Sequence, residues 1–493
     1  MTASLYARTA TGMRWMLINT VGERVLSFGT TMVLARILDP QHFGLYALAF
    51  IAIDSLGIFK NLGLDAAIIQ RKDRVEEAAD TVFMVLPLLG LTLCGLLYLA
   101  APTVAVWLGN PEVGRPIQAL GLVLILMSIG NVPASLVQKS MRFDIRAAAN
   151  LTGMAAYAGL AITLALRGWG VWSLVIAYLT RWAVTIPIQW ALSGWRPRWR
   201  FSAALLKEML HFSKYVVGAW VIGLLATTTD KIVIGKWLGA TQLGYYTLCL
   251  GLANFIVAQL SLQVYQVTFP AFAEAQDAPD VLRRGFLKLT KYLLLVSLPV
   301  AVLLVLEPRE LLMVFYGERW QVAAPVLQVL AIGGALQGLR AGLEPVLMGC
   351  GRSRLVFSLN ICQLVLLAAG GAVMARAGSM AGVAWVVVAA ATVPSLVALR
   401  TIMQRTQVSP TELVRSLRPV AVSVLMMVAV ISLADLGRSG LGHLAAIPIV
   451  WLAAVVPLSS LVYLLGIVWL DRPVIAEFAK LLHLRKPSMA RAS

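Results

Sequence analysis

The chain has 493 residues, of which 59% are apolar and only 13% are charged. This balance lies outside the range of soluble globular proteins and indicates a protein with many membrane-spanning helices. The net charge of +18 would suit a nucleic-acid partner, but in a membrane protein basic residues collect in cytoplasmic loops, so no nucleic-acid partner is expected.

A spanning helix needs about 20 largely apolar residues, and the sequence contains fourteen such segments. In chain order they are residues 13–37, 43–69, 80–108, 117–138, 147–166, 171–194, 211–238, 242–270, 285–306, 322–348, 355–375, 380–404, 416–436 and 444–470. The first segment has no small-residue cleavage site at its end, so it is expected to be a retained span rather than a signal peptide. The sequence therefore predicts an all-α polytopic membrane protein of about 14 transmembrane helices.

The distribution of Lys and Arg predicts the orientation of these helices. With the N-terminus in the cytoplasm, 27 of the 41 Lys and Arg residues lie in cytoplasmic segments and eight lie on the opposite side. Basic residues favour the cytoplasmic side, so both termini are predicted to be inside. Six cations remain within the predicted spans: Arg24, Lys60, Arg181, Lys214, Lys231 and Arg340.

One stretch of sequence occurs twice. Residues 30–48 return at an offset of 200 as residues 230–248, with Val33, Leu38, Gly44, Tyr46 and Leu48 on identical residues. Self-similarity at a fixed spacing indicates a duplicated architecture. A weaker second match, at an offset of 210, relates Arg142 and Asn150 to Arg352 and Asn360.

The duplication predicts the domain organisation. Six helices precede the basic, Trp-rich stretch at residues 195–200, so the second six enter the membrane from the same side and the two lobes are parallel repeats. The predicted domains are an N-lobe at 1–200, a C-lobe at 201–407, and two extra helices with a basic tail at 408–493. The tail either lies on anionic lipid or is solvated.

Several short motifs resemble the polysaccharide transporter family, the flippases that export lipid-linked O-antigen, colanic-acid and exopolysaccharide repeat units. They are Gly63-Leu64-Asp65-Ala66-Ala67-Ile68-Ile69-Gln70-Arg71-Lys72, Val33-Leu34-Ala35-Arg36 with Phe43-Gly44, Gly170-Val171-Trp172, Phe269-Pro270-Ala271-Phe272-Ala273, and Tyr316-Gly317-Glu318-Arg319-Trp320 with Pro325-Val326-Leu327-Gln328. Together they cover about residues 13–405.

The resemblance implies the fold of the multidrug, oligosaccharidyl-lipid and polysaccharide exporter superfamily, with two six-helix lobes that alternate between inward and outward openings. It implies an undecaprenyl-diphosphate-linked oligosaccharide as substrate, the bacterial cytoplasmic (inner) membrane as location, and a polysaccharide polymerase and chain-length proteins as partners of a monomer. The short loops leave no room for an extramembrane catalytic domain, and no nucleotide or zinc motif is evident, so the chain is not expected to be an enzyme.

Transport of a diphosphate requires cations in the membrane, and each must face a cavity or an anion because an exposed charge there is costly. Arg24 lies near mid-membrane on the first predicted helix and is the leading candidate. Asp54 either neutralises Arg24 or binds a coupling proton. Arg340 and Glu344 share one helix face and form either a pair that changes partner during transport or a permanent structural pair.

The remaining cations have weaker signals. Lys214 and Lys231 lie toward opposite ends of the seventh predicted helix, about 25 Å apart, where they would meet phosphate near entrance and exit; Lys214 would alternatively snorkel to the interface. Arg181 is a candidate ligand or a structural partner, and Lys60 can reach the interface beside Asp65.

Two differences between the repeat copies add a further candidate, since Thr30 and Thr31 become Asp230 and Lys231 in the second copy. This pair is expected to help release substrate outward, unless it is a structural ion pair. Four aromatic residues would stack on sugars, although packing is their commoner role: Tyr215, Trp220, Tyr246 and Tyr265.

No cofactor or metal is expected. The four histidines lie at span ends or in the tail, and the four cysteines have spacings that suit neither a metal site nor a disulfide framework. Two alternatives on the same fold stay open: a cation-coupled multidrug antiporter, which would favour an acidic cavity, and a lipid II flippase, against which the Gln70-Arg71-Lys72 motif argues.

Overall fold

The computed structural model describes residues 2–57, 59–255, 268–269, 271–276, 278–438 and 447–471, with the side chains of 2–11, 13, 212–223 and 226 excepted. Over these ranges the chain forms sixteen α-helices and two short 3₁₀ helices. They are α1 (Thr2–Ile37), α2 (Pro40–Gly57), α3 (Leu64–Gln70), α4 (Val75–Trp107), η1 (Pro111–Val113), α5 (Gly114–Lys139), α6 (Phe143–Leu166), α7 (Val171–Ser193), α8 (Ala203–Trp237), α9 (Gly239–Ala253), α10 (Pro279–Leu306), α11 (Pro308–Phe315), η2 (Glu318–Ala323), α12 (Ala324–Gly349), α13 (Ser353–Arg376), α14 (Met380–Thr406), α15 (Pro410–Gly437) and α16 (Pro448–Leu470).

Each predicted span overlaps one or more of these helices, and residues 256–267 and 270 of the span at 242–270 lie outside the described part of the chain. In the described part of the chain, ten helical segments are long and apolar enough to cross a membrane, which agrees with an all-α polytopic membrane fold. The other predicted spans fall on α1, on α2 with α3, on α8 and on α9. Three of these four regions carry candidate charged residues, Arg24, Asp54 and Lys231 among them. The count of fourteen and the orientation stay predictions.

The second predicted span, residues 43–69, is not one helix, which corrects the prediction. Helix α2 ends at Gly57 and α3 begins at Leu64. Leu62 and Gly63 have φ of 49° and 71°, the left-handed region that a helix cannot include and that glycine favours. The chain therefore turns between two helices, which presents Lys60 and Asn61 on a bend rather than on a helix face.

The helices cluster into two compact units. Unit 1 consists of Met1–Thr247 with Leu367–Val383, and unit 2 consists of Leu248–Leu366 with Ala384–Ser493. A core of unit 1 packs α3, α4 and α5 together through Ile68, Val82 and Val132. A core of unit 2 packs α10, α12 and α14 together through Phe286, Leu343 and Ile402. The predicted lobe boundaries at residues 200 and 407 stay a prediction.

The two copies of the repeated stretch touch each other inside unit 1. A Cβ built on Gly44 would lie 1.7 Å from the carbonyl oxygen of Ala240, and a Cβ built on Gly244 would lie 1.9 Å from that of Pro40. Only glycine allows backbones to approach this closely. The glycine that both copies retain therefore lets the first turns of α2 and α9 pack in a reciprocal contact.

The Trp-rich stretch after α7 packs onto unit 1. The ring of Trp195 lies 5.5 Å from those of Phe83 and Trp190. The backbone N–H of Arg198 donates to the buried carboxylate of Asp80 at 3.1 Å, while Trp199 is 82% exposed. This segment is therefore anchored by its first tryptophan and by Asp80.

Candidate functional site

An ion pair joins α1 and α7 in unit 1. Arg181 donates through Nη2 to Glu23 Oε1 at 2.8 Å, and both side chains are about a quarter exposed. Glu23 and Arg24 are neighbours on a helix, where consecutive residues point about 100° apart. Glu23 therefore faces α7, whereas the side chain of Arg24 is exposed.

A polar cavity of about 300 Å³ lies in unit 1, next to the bend between α2 and α3. The bend and α3 contribute three side chains, and α5, α6 and α7 contribute the others. The polar lining includes Lys60, Asn61, Asp65, Asn131, Arg146 and Asn150. The cavity is therefore built from four segments that are distant in sequence.

Three oxygens in this lining have no hydrogen-bond partner. They are Asn61 Oδ1, Asp65 Oδ1 and Asn131 Oδ1, and all three are buried. Buried polar atoms are nearly always satisfied in folded proteins, and each exception indicates a missing ligand, water or ion, or stored strain. The cavity has unused capacity to accept hydrogen bonds.

The lining also carries charge of both signs. Lys60 Nζ lies 3.4 Å from the sulfur of Met127, and Arg146 donates through Nη1 to Gln138 Oε1 at 3.3 Å. Asp65 supplies one carboxylate to the same cavity. Two cations and one anion would suit a ligand that both donates and accepts hydrogen bonds.

Lys139 fixes the short helix α3 beside the cavity. Its Nζ donates to the carbonyl oxygens of Ile68 at 3.2 Å and Ile69 at 2.9 Å, and also contacts that of Arg71. The last carbonyls of a helix lack partners within it, and a cation there satisfies them. Arg71 in turn pairs with Glu208 at 3.2 Å, so the motif at residues 63–72 is held by contacts at its end.

In unit 2, Arg340 is the centre of a filled polar cluster. Its Nε donates to Glu344 Oε1 at 2.8 Å, and its two terminal nitrogens contact Gln363 Oε1 and Asn360 Oδ1. The predicted Arg340–Glu344 pair is therefore present, and it is extended by two amides from α13. Whether the pair changes partner during transport stays a prediction.

The second copy of the repeat buries Asp230. The hydroxyl of Tyr246 donates to Asp230 Oδ2 at 2.5 Å, and Tyr246 is fully buried. Of the two roles considered for Tyr246, the structure shows packing, because neither face of its ring is accessible. Lys231 is half-buried beside it and Asp54 of α2 is exposed.

Some predicted residues lie outside what the structure describes. The side chains of Lys214, Tyr215 and Trp220 belong to this group, as do Tyr265, His443 and the tail beyond residue 471. Within the described ranges, no group of three or more His, Cys, Asp and Glu side chains has the arrangement of a metal site.

Sequence reasoning missed most of the cavity. It considered Lys60 with Asp65, but not Asn61, Asn131 or Arg146 as members of a site, and it did not identify Glu23 as the partner of Arg181. An available signal was the presence of uncharged amides such as Asn131 within a strongly apolar span, because polar groups in membrane helices usually face a partner or cavity. A search restricted to charged residues overlooks them.

The apolar helices and the polar residues they enclose define a polytopic membrane protein. The chain matches the family of polysaccharide biosynthesis proteins over residues 33–325, and it belongs to that family. This confirms the resemblance drawn from the motifs and identifies a transporter rather than an enzyme.

Two relatives and one solved structure illustrate the match. The chain is 28% identical over 373 residues to the lipopolysaccharide biosynthesis protein WzxC of Escherichia coli (strain K12), covering 74% of each. It is 25% identical over 497 residues to the succinoglycan biosynthesis transport protein ExoT of Rhizobium meliloti (strain 1021), covering 100% of this chain and 99% of that one.

The solved structure is the lipid II flippase MurJ in an inward closed conformation. It matches with a TM-score of 0.72 and 13% identity, covering 94% of this chain and 100% of the other. At this identity the match shows a shared fold alone. The protein is thus a multi-pass membrane transporter of polysaccharide biosynthesis with bacterial relatives.

Proposed function

We propose that this chain moves undecaprenyl-diphosphate-linked oligosaccharide units across the bacterial cytoplasmic membrane by alternating access of two lobes. The units would feed synthesis of a surface polysaccharide such as O-antigen, capsule or exopolysaccharide. The observation that carries the proposal is membership of the polysaccharide biosynthesis family over residues 33–325. ExoT, matched over nearly its whole length, is named as a transport protein for succinoglycan biosynthesis.

The charged residues of the helices suit this substrate. A diphosphate carries negative charge that must be balanced where water is scarce, and an ionised Arg at the bilayer centre itself costs on the order of 3 kcal/mol. The exposed side chain of Arg24 on α1 is the proposed principal phosphate ligand. Arg181, Lys214, Lys231 and Arg340 are secondary candidates.

Acidic residues are the proposed coupling or counter-charge groups. Asp54 is exposed on α2, Glu344 is one-third exposed beside Arg340, and Asp230 is buried. A proton or cation gradient acting through Asp54 or Glu344 is one energy source for transport, and downhill flow drawn by polymerisation outside is the other. The excess of cations over acids in the helices disfavours a cation-coupled drug antiporter, which would need an acidic cavity.

Replacement of Arg24 tests the proposal. In cells that encode this chain and make a surface polysaccharide, Arg24→Ala should abolish export, because no cation would balance the diphosphate at that position. The measurement is the amount of surface polysaccharide, together with the amount of protein in the membrane fraction. Arg14→Ala is the matched control, since Arg14 is an exposed cation of the same helix and its loss should leave export intact.

Unchanged polysaccharide in the Arg24→Ala strain would remove Arg24 from the mechanism. Unchanged polysaccharide after deletion of the whole chain would overturn the proposed function itself.

A further inference from the structure

The repeat relates the polar cavity of unit 1 to the Arg340 cluster of unit 2. Helix α12 begins and ends 210 residues after α5, and α13 begins and ends 210 residues after α6. Gly130 and Ala134 on α5 therefore correspond to Arg340 and Glu344 on α12. Both Gly130 and Ala134 line the cavity.

Equivalent helix positions carry a polar cluster in one repeat and line a cavity in the other. In unit 2, the guanidinium of Arg340 contacts the side chains of Glu344, Asn360 and Gln363. In unit 1, Gly130 and Ala134 line the cavity together with Asn150, which corresponds to Asn360, while Ile186 of α7 packs against Gly130. The cavity thus adjoins the helix positions that carry an arginine and its partner in the other copy.

The hydrogen-bonding capacity of the cavity selects among ligands. Asn61, Asp65 and Asn131 present oxygens that need donors, and a carboxylate such as that of Asp65 can only accept when ionised. An ionised diphosphate has no hydrogen to donate, so it would leave these oxygens unsatisfied. Sugar hydroxyls both donate and accept, so they would satisfy the oxygens and also accept from Lys60 and Arg146.

The size of the cavity agrees with this selection. A volume of about 300 Å³ corresponds to about ten water molecules in the liquid and lies at the lower end of small-molecule sites. Asn61 is 6% exposed, so a ligand in contact with its amide would be largely removed from water. One sugar ring fits this description better than an extended oligosaccharide.

We propose that the cavity between the α2–α3 bend, α5, α6 and α7 binds one sugar residue of the transported oligosaccharide. Its hydroxyls donate to Asn61, Asp65 and Asn131 and accept from Lys60 and Arg146. The phosphates are bound elsewhere, by the cations named above. This inference rests on the proposed function, because it assigns the sugar part of the same substrate to a separate subsite.

Binding of simple glycosides to the purified full-length protein tests the subsite. The probes are the methyl glycosides of glucose, galactose and N-acetylglucosamine, with inorganic pyrophosphate as the anionic comparison, and the measurement is the shift of the thermal unfolding midpoint in detergent. At least one glycoside should raise the midpoint of the wild-type protein. Asn131→Leu should lower the affinity for that glycoside about tenfold, since one hydrogen bond to the ligand is lost. The midpoint shift at a given glycoside concentration should be smaller accordingly.

The same variant separates binding from stability. Without probe, Asn131→Leu should unfold at the same temperature as the wild type or higher, because it removes an unsatisfied buried oxygen. Ala134→Leu, which fills the cavity, should also abolish the glycoside response. Ala119→Leu is the matched control on α5, at a position that does not line the cavity, and should keep it.

Three results would overturn the subsite. The first is no midpoint shift with any glycoside, which would mean that the cavity holds water only. The second is a pyrophosphate shift that Asn131→Leu removes, which would make it an anion site. The third is normal surface polysaccharide in Asn131→Leu cells when Arg24→Ala abolishes it, which would reject the sugar site while retaining the proposed function.

Discussion

Residues 130 and 134 of unit 1 and residues 340 and 344 of unit 2 occupy equivalent places in the repeat, yet the two units use that place in opposite ways. Unit 2 fills it with an arginine that three side chains surround. Unit 1 has Gly130 and Ala134 there, and they line a cavity with three buried oxygens that lack partners. A duplicated scaffold can therefore carry a rigid, satisfied polar cluster in one copy and an unsatisfied, ligand-sized cavity in the other.

The comparison extends to places where the copies stay alike. Gly44 and Gly244 each pack against the first turn of the other copy's helix. The glycine that is identical in both copies thus makes the packing contact that the copies share, whereas the positions that differ have different local structures in the two copies.

The largest effect is expected at the shared glycines. Gly44→Ala and Gly244→Ala would place a Cβ 1.7 and 1.9 Å from a backbone carbonyl oxygen, so the helices must separate. We expect each variant to lose about 3 kcal/mol of unfolding free energy or to fail to accumulate in the membrane. Thermal unfolding of the purified variants and their membrane yield are the measurements.

Gly251→Ala on the same helix is the control, because nothing lies within 4 Å of its Cβ, and it should be neutral or stabilising. A loss in only one of the two glycine variants would show that the contact is not reciprocal.

The filled cluster of unit 2 should be the next most sensitive. Arg340→Met leaves Glu344 and two amides without their donor, and we expect a loss of about 2 kcal/mol. This is less than for a fully buried pair, since the Glu344 side chain is 33% exposed and solvent screens part of the interaction. The measurement is thermal unfolding, with Arg354→Met at an exposed position of α13 as the control.

A comparison of Arg340→Met with Asn131→Leu tests the contrast between the polar cluster of unit 2 and the cavity of unit 1. Loss of a polar side chain should destabilise unit 2 and leave unit 1 unchanged or more stable. Equal losses in both variants would contradict the distinction between a satisfied cluster and an open cavity.

A smaller, pH-dependent effect is expected where α10 ends. The pKa of the Glu307 carboxyl is raised from 4.5 to about 7, chiefly by burial; the hydrogen bond from Trp451 opposes this rise, and the charges of Asp435 and Glu310 contribute to it. Trp451 Nε1 donates to Glu307 Oε1 at 3.1 Å, and Arg438 pairs with Glu310 at 2.7 Å.

The direction in which stability changes with pH follows from proton linkage. Between about pH 4.5 and about 7, the folded protein holds a proton on Glu307 that the unfolded chain releases, so stability should fall as the pH rises through this window. Glu307→Gln should flatten that dependence, as measured by unfolding midpoints across the window. Glu318→Gln, at an exposed carboxylate of η2, should retain the wild-type slope; an unchanged slope in Glu307→Gln would refute the assignment.

Much of the helical framework could be predicted from the sequence. The predicted segment 322–348 is α12 to within two residues at its start, and 171–194 ends one residue beyond α7. A spanning helix must be apolar along its length whatever it packs against, so its position is a local property. The Arg340–Glu344 pair could be predicted for the same reason, since residues four apart on a helix are neighbours.

The cavity could not be predicted in this way. Asn61, Asn131 and Arg146 lie on three segments, and nothing in the spacing of the sequence brings them together. The break at Leu62 and Gly63 was also overlooked, because the apolar run continues across it while the backbone adopts positive φ. Uncharged amides added to the difficulty, since they barely alter the hydropathy of a span.

The sequence by itself determined the class of the protein, the duplication and nearly all of the helix positions, because these depend on composition, motifs and periodicity along the chain. Only the tertiary structure decided that the repeated glycines contact each other's copy, that Arg181 pairs with Glu23, and that Tyr246 is buried against Asp230. It alone decided that Gly130 and Ala134 line a cavity, whereas Arg340 and Glu344, at the equivalent positions of unit 2, form a polar cluster. The physical reason is that satisfaction of a buried polar atom depends on which distant segments approach it.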